Sequence, residues 1–399
     1  MNYKKIIFLF FIVSLSVKAQ LTTGWQNYSS MNKVSSAVVT ADGIWAGTEG
    51  GAFYYNFKDS TYKTFTKTEG VNGSPITATA KDSSGNIWFG SQNGKIDVYN
   101  PTTKTFKNIF DVYNSERTEK KINAIAIYGD TAFVSTSFGL SLINTKALSF
   151  YDTFFKFGNF ASNIEVNYSF KKANIIYAAT NSGIAVQKAG TTNLVAPESW
   201  NTFTIADGLS SNTIYKIETY RDTVFISSPK GFSIFTANGW QQIFPSFAKN
   251  VITDFIVSND SLYFLTDGNL YSYANNTVSL VISEQDTNAV QILKVNTSEI
   301  MTASNFGIVF NFRNGAVKNI SPNGPKTNIF FNMAVDAKSN LWVATGEDAG
   351  GVGFYKFNGS SWKTYDVNSA PLLSNAFHTV AIGSDNSVYF ANWGSGFVR

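Results

Sequence analysis

The feature that most constrains this chain is a short aromatic phrase that is present in nine copies. It reads IWAGTEGGAFYYN at residues 44–56 and IWFGSQNGKIDVYN at residues 87–100. Successive copies lie 38 to 48 residues apart, and each carries one bulky apolar anchor residue. The anchors are Trp45, Trp88, Phe133, Tyr177, Phe225, Tyr263, Met301, Trp342 and Tyr389. A period of about 40–45 residues in strand-like segments is typical of β-propeller blades.

Each repeat has the pattern of four short strands. An apolar segment such as SPITATAKD (74–82) precedes a polar turn, and the anchor strand follows that turn. A ragged segment with an aromatic residue, such as GWQQIF (239–244), closes the unit. In six copies a glycine follows the anchor by six residues, where we expect the chain to reverse. These glycines are Gly51, Gly94, Gly139, Gly183, Gly231 and Gly307.

The repeats predict an all-β fold, a β-propeller of four-stranded antiparallel blades. A single blade cannot bury both of its apolar faces, so the blades must stack on one another around an axis. The high aromatic content, 16% of the residues, suits such large sheet-to-sheet contacts. Because the anchor position keeps its bulk but varies in residue type, we interpret the anchors as blade-to-blade core rather than as a ligand cage.

The repeats favour one seven-bladed ring over residues 20–325, followed by the first blades of a second propeller over residues 326–399. The second propeller is expected to be truncated, since the ninth copy ends at Arg399. A single eight-bladed ring is the alternative. The segment GWQNYSS (24–30) resembles an isolated fourth strand, and we expect it to complete the last blade of the ring.

Residues 1–19 have the features of a signal peptide. Lys4 and Lys5 precede an apolar run that is too short to span a bilayer, and Ala19 ends a typical cleavage site. We therefore expect export to the periplasm or the outer cell surface, with Gln20 as the first mature residue and no transmembrane segment in the mature chain.

Charge and cysteine content exclude several classes of function. The chain has 31 Lys and Arg against 27 Asp and Glu, and three of the lysines lie in the signal peptide, which leaves 28 against 27. Such a balance argues against nucleic acid as a partner, because phosphate binding needs a concentrated basic surface. With no cysteine, disulfides, thiolate nucleophiles and Cys-based metal sites are excluded.

Few residues have the type and spacing of a catalytic, metal-binding or ligand-binding site. We predict no catalytic residue, no metal site and no cofactor. The single histidine, His378, is expected to be a half-buried strand residue. The segments DSSGN (82–86) and DAKSN (336–340) lack the ligand pattern of a calcium loop and are expected to form hairpin turns. The weak ligand-binding candidates are the adjacent carboxylates Glu347 and Asp348, in an insertion of the eighth copy.

Three phrases carry resemblances to known families. GNIWFGSQNGKIDVYNP (85–101) and DGLSSNTI (207–214) resemble the two-component regulator propeller repeat, and KKINAIAIYGDTAFVSTSFGLSLINTKALSFYDTFF (120–155) resembles the PorZ family of the type IX secretion system of Bacteroidota. This resemblance implies a non-enzymatic envelope protein that helps attach cargo to anionic lipopolysaccharide. The implied partners are an envelope protein such as a sortase, or a surface glycan. No motif here matches a binding residue of that family.

Two other functions are compatible with a propeller of this kind. One is the extracytoplasmic sensor of a hybrid two-component regulator that binds an oligosaccharide. The other, less favoured, is a lyase or glycoside hydrolase, which would require an acid and a base that converge on one site.

Overall fold

A computed structural model of the chain describes residues 26–283, 289–295, 299–311, 317–346 and 350–399. These residues form nine antiparallel sheets, of which eight have four strands and the last has three. The predicted all-β fold with four-stranded blades is therefore confirmed. None of the helices in the described ranges has the length and apolar character needed to cross a membrane. The predicted signal peptide, 1–19, lies outside the described residues.

The strands follow the chain in order through the nine blades. Blades one to three are β1 Val34–Val39, β2 Gly43–Thr48, β3 Gly51–Asn56, β4 Tyr62–Phe65, β5 Ile76–Lys81, β6 Ile87–Ser91, β7 Ile96–Asn100, β8 Thr105–Ile109, β9 Ile122–Tyr128, β10 Thr131–Thr136, β11 Gly139–Asn144 and β12 Ser149–Phe154. Blades four to six are β13 Val166–Lys172, β14 Ile175–Thr180, β15 Gly183–Gln187, β16 Trp200–Phe203, β17 Lys216–Tyr220, β18 Thr223–Ser228, β19 Gly231–Thr236, β20 Gly239–Ile243, β21 Ile252–Ser258, β22 Ser261–Thr266, β23 Asn269–Ala274 and β24 Thr277–Ile282.

Blades seven to nine are β25 Ala289–Lys294, β26 Ile300–Ser304, β27 Gly307–Asn311, β28 Val317–Ile320, β29 Asn332–Val335, β30 Leu341–Ala344, β31 Phe354–Phe357, β32 Trp362–Tyr365, β33 Phe377–Ile382, β34 Val388–Asn392 and β35 Gly396–Val398. Helical segments are short and lie in connections. They are α1 Asp111–Asn114 and the 3₁₀ turns Pro197–Ser199, Ile205–Asp207 and Pro245–Phe247.

All nine anchors lie in the second strand of their blade, and none of them is exposed. Five are buried and four are half-buried, as expected for side chains that fill the space between neighbouring sheets. Trp45, for example, packs against Phe65 of its own blade and against Tyr99 of the next blade. The interpretation as blade-to-blade core is therefore confirmed for eight anchors, whereas Tyr389 of the last blade contacts Phe397 of its own blade.

The turn after the anchor strand is built in the same way in most blades. In blade one, Gly51 has a φ of +137°, and a Cβ at this position would lie 2.4 Å from the carbonyl oxygen of Phe65. The buried Thr48 hydroxyl donates to the Gly51 carbonyl over 2.8 Å and accepts from the Gly50 amide over 3.2 Å. Equivalent hydroxyls bind the turn carbonyl at Thr136, Thr180, Ser228 and Ser304. The predicted glycine turns are confirmed, and each is fixed by a neighbouring hydroxyl.

Seven blades form the ring, since the first strands of blades one to seven lie side by side in sequence and β25 packs beside β1. Blades one and seven share an apolar core that includes Phe53, Met301 and Ile308. Two hydrogen bonds also cross this junction. The Gln291 side chain accepts from the Ala37 amide over 2.7 Å, and the Lys318 ammonium donates to the Tyr55 hydroxyl over 2.8 Å.

The expected strand at GWQNYSS (24–30) is wrong for its described part, residues 26–30, which forms no strand. Blade seven is completed instead by its own fourth strand, β28, which pairs with β27. The N-terminal segment contacts the region of blade eight: the Ser30 amide donates to Asn328 over 2.6 Å. The Tyr28 ring lies 4.7 Å from the ring of Phe357. The N-terminal segment therefore links the first blade to the eighth. The pattern of its residues alone does not reveal blade eight as its partner.

The axial channel as the candidate functional site

The inner strands of the ring turn side chains, most of them polar, toward the axis by means of β-bulges. Six of the seven inner strands of the ring shift register at their second residue, and each shifted residue lines the axial channel. A bulge inserts one unpaired residue and changes the direction of its side chain. The bulged residues are Ser35, Thr77, Asn123, Asn167, Thr253 and Val290.

The axial channel encloses about 440 Å³ and is lined by residues from all seven blades of the ring. A second cavity of about 370 Å³ shares Ser35, Thr77 and Val290 with the channel. This second cavity, which we call the funnel, is also lined by Glu49 and Gln92, which lie in turns after the anchor strands. The two cavities therefore form one path along the ring axis, and the exposed residues Lys33 and Gln92 line its funnel end.

The two halves of the channel wall differ in chemistry. Blades one to three contribute small and hydroxyl side chains, such as those of Ser36, Ala78 and Thr79. Blades four to six contribute most of the larger polar groups, which include Tyr168, Tyr215, Lys216 and Asp254, while Lys81 of blade two and Asn123 of blade three also line the channel. The wall therefore has one side of mostly small side chains, which we call the flat side, and an opposite side with both phenols and the Lys216–Asp254 pair.

An ion pair joins three blades at the channel wall. The Lys216 ammonium of β17 lies 2.6 Å from a carboxylate oxygen of Asp254 on β21. The other carboxylate oxygen of Asp254 accepts a 2.6 Å hydrogen bond from the Ile292 amide of β25. The side chains are only 16% and 6% exposed, so the pair is screened little by solvent. Asp254 thus holds blades five, six and seven together.

Burial changes the ionisation of two further groups near this pair. It raises the pKa of the Glu218 carboxyl, which follows Lys216 by two residues on the same strand. It also raises the pKa of the Tyr168 hydroxyl, and the negative charges of Glu218 and Asp254 add to this shift. The phenol therefore remains a hydrogen-bond donor at neutral pH, while the carboxyl ionises less readily than an exposed glutamate.

Of the residues that the sequence suggested as candidates, only His378 is described by the structure, and it does not line the channel. Glu347 and Asp348 fall outside the described residues. His378 lies half-buried on β33, as predicted, with its ring 5.3 Å from Phe331 and 4.9 Å from Trp393. In the described part of the chain, no group of three or more histidine, aspartate or glutamate side chains is arranged to hold a metal ion.

The two segments that superficially resemble calcium loops are turns, as predicted. The carboxylate of Asp82 accepts from the amides of Ser84 and Asn86, from the Asn86 side chain and from the Trp88 indole, each over 2.9 Å. Asp336 makes the equivalent contacts with Lys338, Asn340 and Trp342. Each carboxylate is saturated by N–H donors and fixes the tryptophan anchor of its blade.

We expect Asp336 to make the stability of blade eight depend on pH. Burial opposes ionisation of this carboxyl, but the hydrogen bonds from Trp342 and Asn340 outweigh it and lower its pKa to about 2. Because the pKa is about 3.9 in an unfolded chain, the ionised group stabilises the fold above about pH 4 by about 2 kcal/mol, and this contribution disappears as the pH falls toward 2.

Urea unfolding at pH 7 and at pH 2.5 tests this expectation. Asp336→Asn should be less stable than the wild-type protein at pH 7, and the difference should narrow at pH 2.5. Asp385→Asn, on an exposed turn of blade nine, should change little at either pH. An equal loss at both pH values for Asp336→Asn would contradict the linkage.

The sequence reasoning missed Lys216 and Asp254. A signal was present, because ITDFIVS (252–258) is an apolar inner strand interrupted by a single carboxylate. The hydroxyls that fix the turns were also missed, although a serine or threonine follows each of the first eight anchors at a constant spacing of three residues.

The fold and the axial channel define a β-propeller protein with four-stranded blades. Residues 44–201 match the family model described as the N-terminal β-propeller domain of PorZ. The resemblance to the PorZ family is therefore confirmed over these residues. No curated protein sequence matches the chain significantly.

Solved structures support the same fold. PorZ of Porphyromonas gingivalis, a surface component of the type IX secretion system, superposes with a TM-score of 0.76 at 16% identity over 94% of this chain and 51% of that chain. The extracellular domain of a hybrid two-component system from B. thetaiotaomicron gives 0.58 at 16% identity over 93% and 53%. Virginiamycin B lyase from Staphylococcus aureus gives 0.54 at 12% identity over 71% and 96%. The chain spans about half the length of the first two structures.

Proposed function

We propose that this chain is the propeller part of a PorZ-like envelope protein that acts in type IX secretion as a non-enzymatic binding scaffold. The observation that carries the proposal is the match of residues 44–201 to the PorZ propeller model. The superposition on PorZ over 94% of the chain supports it. In this proposal the signal peptide, 1–19, directs export to the periplasm or the outer cell surface.

The proposed role is to help attach secreted cargo to anionic lipopolysaccharide. The partner would be an envelope protein such as a sortase, or the surface glycan itself. A rigid ring suits such a role, because binding loops lose little conformational freedom when a fixed frame already holds them. Asp254 and the shared core of blades one and seven provide such a frame.

We also propose that residues 20–325 form one propeller domain and residues 326–399 the first blades of a second. The ring formed by blades one to seven supports this division, as does the separate contact between β29 and β33 in blades eight and nine. The length of PorZ, about twice that of this chain, is consistent with a second propeller.

Deletion of the gene in its own bacterium tests the proposed function. The expected result is loss of type IX cargo from the cell surface, with cargo accumulating inside the envelope, and restoration by the complete gene. A complementing gene without residues 1–19 should fail to restore attachment. Normal surface attachment of cargo in the deletion strain would contradict the proposal.

The sensor propeller is the second candidate, favoured by the match to the two-component extracellular domain over 93% of the chain. The same deletion strain separates the two functions. If the protein is a sensor, its deletion should leave cargo attachment intact and abolish the transcriptional response to one polysaccharide. If it is a secretion scaffold, its deletion should abolish cargo attachment and leave that response intact.

A further inference from the structure

The channel and funnel concentrate positive charge although the chain as a whole is almost balanced. Four lysines and two carboxylates line the two cavities. The lysines are Lys33, Lys81, Lys121 and Lys216, and the carboxylates are Glu49 and Asp254. In a narrow cavity with net positive charge, the surrounding protein has a low dielectric constant and focuses the electrostatic field. This field raises the local concentration of anions.

The two carboxylates do not compensate the charges of all four lysines. Asp254 is committed to Lys216 and to the Ile292 amide. Neither Lys33 nor Lys121, which belong to blades one and three, forms a salt bridge with any described residue. Both lysines therefore leave the entrance of the axial path positive, with Glu49 as the one carboxylate beside them.

The channel also offers groups that bind hydroxyls. The amide nitrogen of Asn123 donates to Glu165 over 3.0 Å and to the Val166 carbonyl over 2.9 Å. Its amide oxygen is buried and accepts no hydrogen bond from the described part of the chain. A buried acceptor without a donor is costly. Tyr168 and Lys216 supply donors from blades four and five.

The size of the path fits one or two sugar rings. The volumes of about 440 Å³ and 370 Å³ each lie within the range of roughly 300–1,000 Å³ that small-molecule sites occupy. The flat side, with Ala78 and Thr79, can accept the face of a ring, while the opposite side presents donors and acceptors to its hydroxyls.

We propose that the axial path binds a small polyhydroxylated carboxylate, of the class of uronic acids, whose negative group enters at Lys33 and Lys121. The ligand is either a free acidic sugar or the acidic end of a polysaccharide, since both present the same group. The proposal does not depend on a role in secretion.

Isothermal titration calorimetry on the complete chain tests the chemistry of the ligand. We expect D-glucuronate to bind more tightly than D-glucose, which lacks the charge, and than acetate, which lacks the hydroxyls. Raising the salt concentration from 20 mM to 500 mM should weaken glucuronate binding, because salt screens the lysines at the entrance, with a Debye length of about 20 Å and about 4 Å respectively. Equal binding of all three probes, or no binding of glucuronate, would overturn the proposal.

The double variant Lys33→Gln with Lys121→Gln tests the location. It should weaken glucuronate binding by about five- to tenfold with an unchanged melting temperature, since neither lysine forms a salt bridge with a described residue. Lys58→Gln, at an exposed turn of blade one, is the matched control and should bind as the wild-type protein does. Unchanged affinity in the double variant would overturn the assignment.

A polymer separates the two sources of the ligand. If a polysaccharide end is recognised, a polyuronate of ten or more residues should bind as tightly as free glucuronate when its concentration is counted in chain ends. The affinity of the polymer should also fall in the same double variant. If only the free sugar is recognised, the polymer should not compete with glucuronate. A polymer that binds equally well to the double variant and to the wild-type protein would place acidic glycan binding elsewhere and contradict the proposal.

Discussion

Replacement of Asp254 by alanine is expected to destabilise the protein by about 3–5 kcal/mol. The change removes the carboxylate that accepts from Lys216 and from the Ile292 amide, each over 2.6 Å. Lys216 would then remain charged in a setting where only 16% of its side chain is exposed. Breaking one partner of a buried pair costs more than the pair contributes, because the other charge is left without compensation. Urea unfolding measures the loss.

Two further variants make this result interpretable. Asp260→Asn removes the charge of a carboxylate that pairs with Arg221 between blades five and six, where both side chains are about half exposed or more. Asparagine tolerates the φ of +55° at this position. No measurable change is expected there, because solvent screens exposed pairs. The double variant Lys216→Met with Asp254→Leu should recover part of the stability, since it removes both charges and leaves only the Ile292 amide without its acceptor. A double variant as unstable as Asp254→Ala would show that the loss is not caused by the unpaired lysine.

Replacement of Trp88 by alanine is expected to cost about 3–5 kcal/mol. Trp88 is completely buried and contacts the core that joins blades two and three. Its indole nitrogen also donates to Asp82 over 2.9 Å. The substitution therefore opens a cavity between two sheets and removes one of the donors that saturate a buried carboxylate.

The two contributions of Trp88 can be separated. Trp88→Phe retains most of the apolar bulk but loses the hydrogen bond to Asp82, so it should cost about 1–3 kcal/mol. Trp393→Ala is the control, because that indole is 63% exposed and its removal should have little effect. If Trp88→Ala were tolerated as well as Trp393→Ala, the anchors could not be the core between blades.

The local structure of the blades could be predicted from the sequence because it depends on local patterns. The anchor at Trp88 predicted a buried second strand, and Gly94 predicted the turn that follows, where its φ is +85°. Both predictions use only residues within one hairpin. The hairpin is stabilised by its own hydrogen bonds and by the alternation of buried side chains, so local sequence is sufficient.

Contacts that depend on distant parts of the chain could not be predicted in this way. The residues around Tyr28 have the pattern of a strand, yet they lie against Phe357, more than 300 residues away in sequence. The role of Asp254 could not be predicted for the same reason, because it depends on Lys216 and Ile292 in two other blades. One strand pattern is compatible with many partners, and only the packing of the whole ring selects one.

The central claim is that blade seven closes the ring on blade one, and amide hydrogen exchange measured by mass spectrometry tests it most directly. Phe53 and Phe65 are both buried in blade one but on opposite faces, since Phe53 packs with Met301 of blade seven and Phe65 with Phe89 of blade two. Phe53→Ala should accelerate exchange in β26, about 250 residues away in sequence, and leave β6 unchanged. Phe65→Ala should accelerate exchange in β6 and leave β26 unchanged. A Phe53→Ala protein with unaltered exchange in β26 would contradict a ring closed by these two blades.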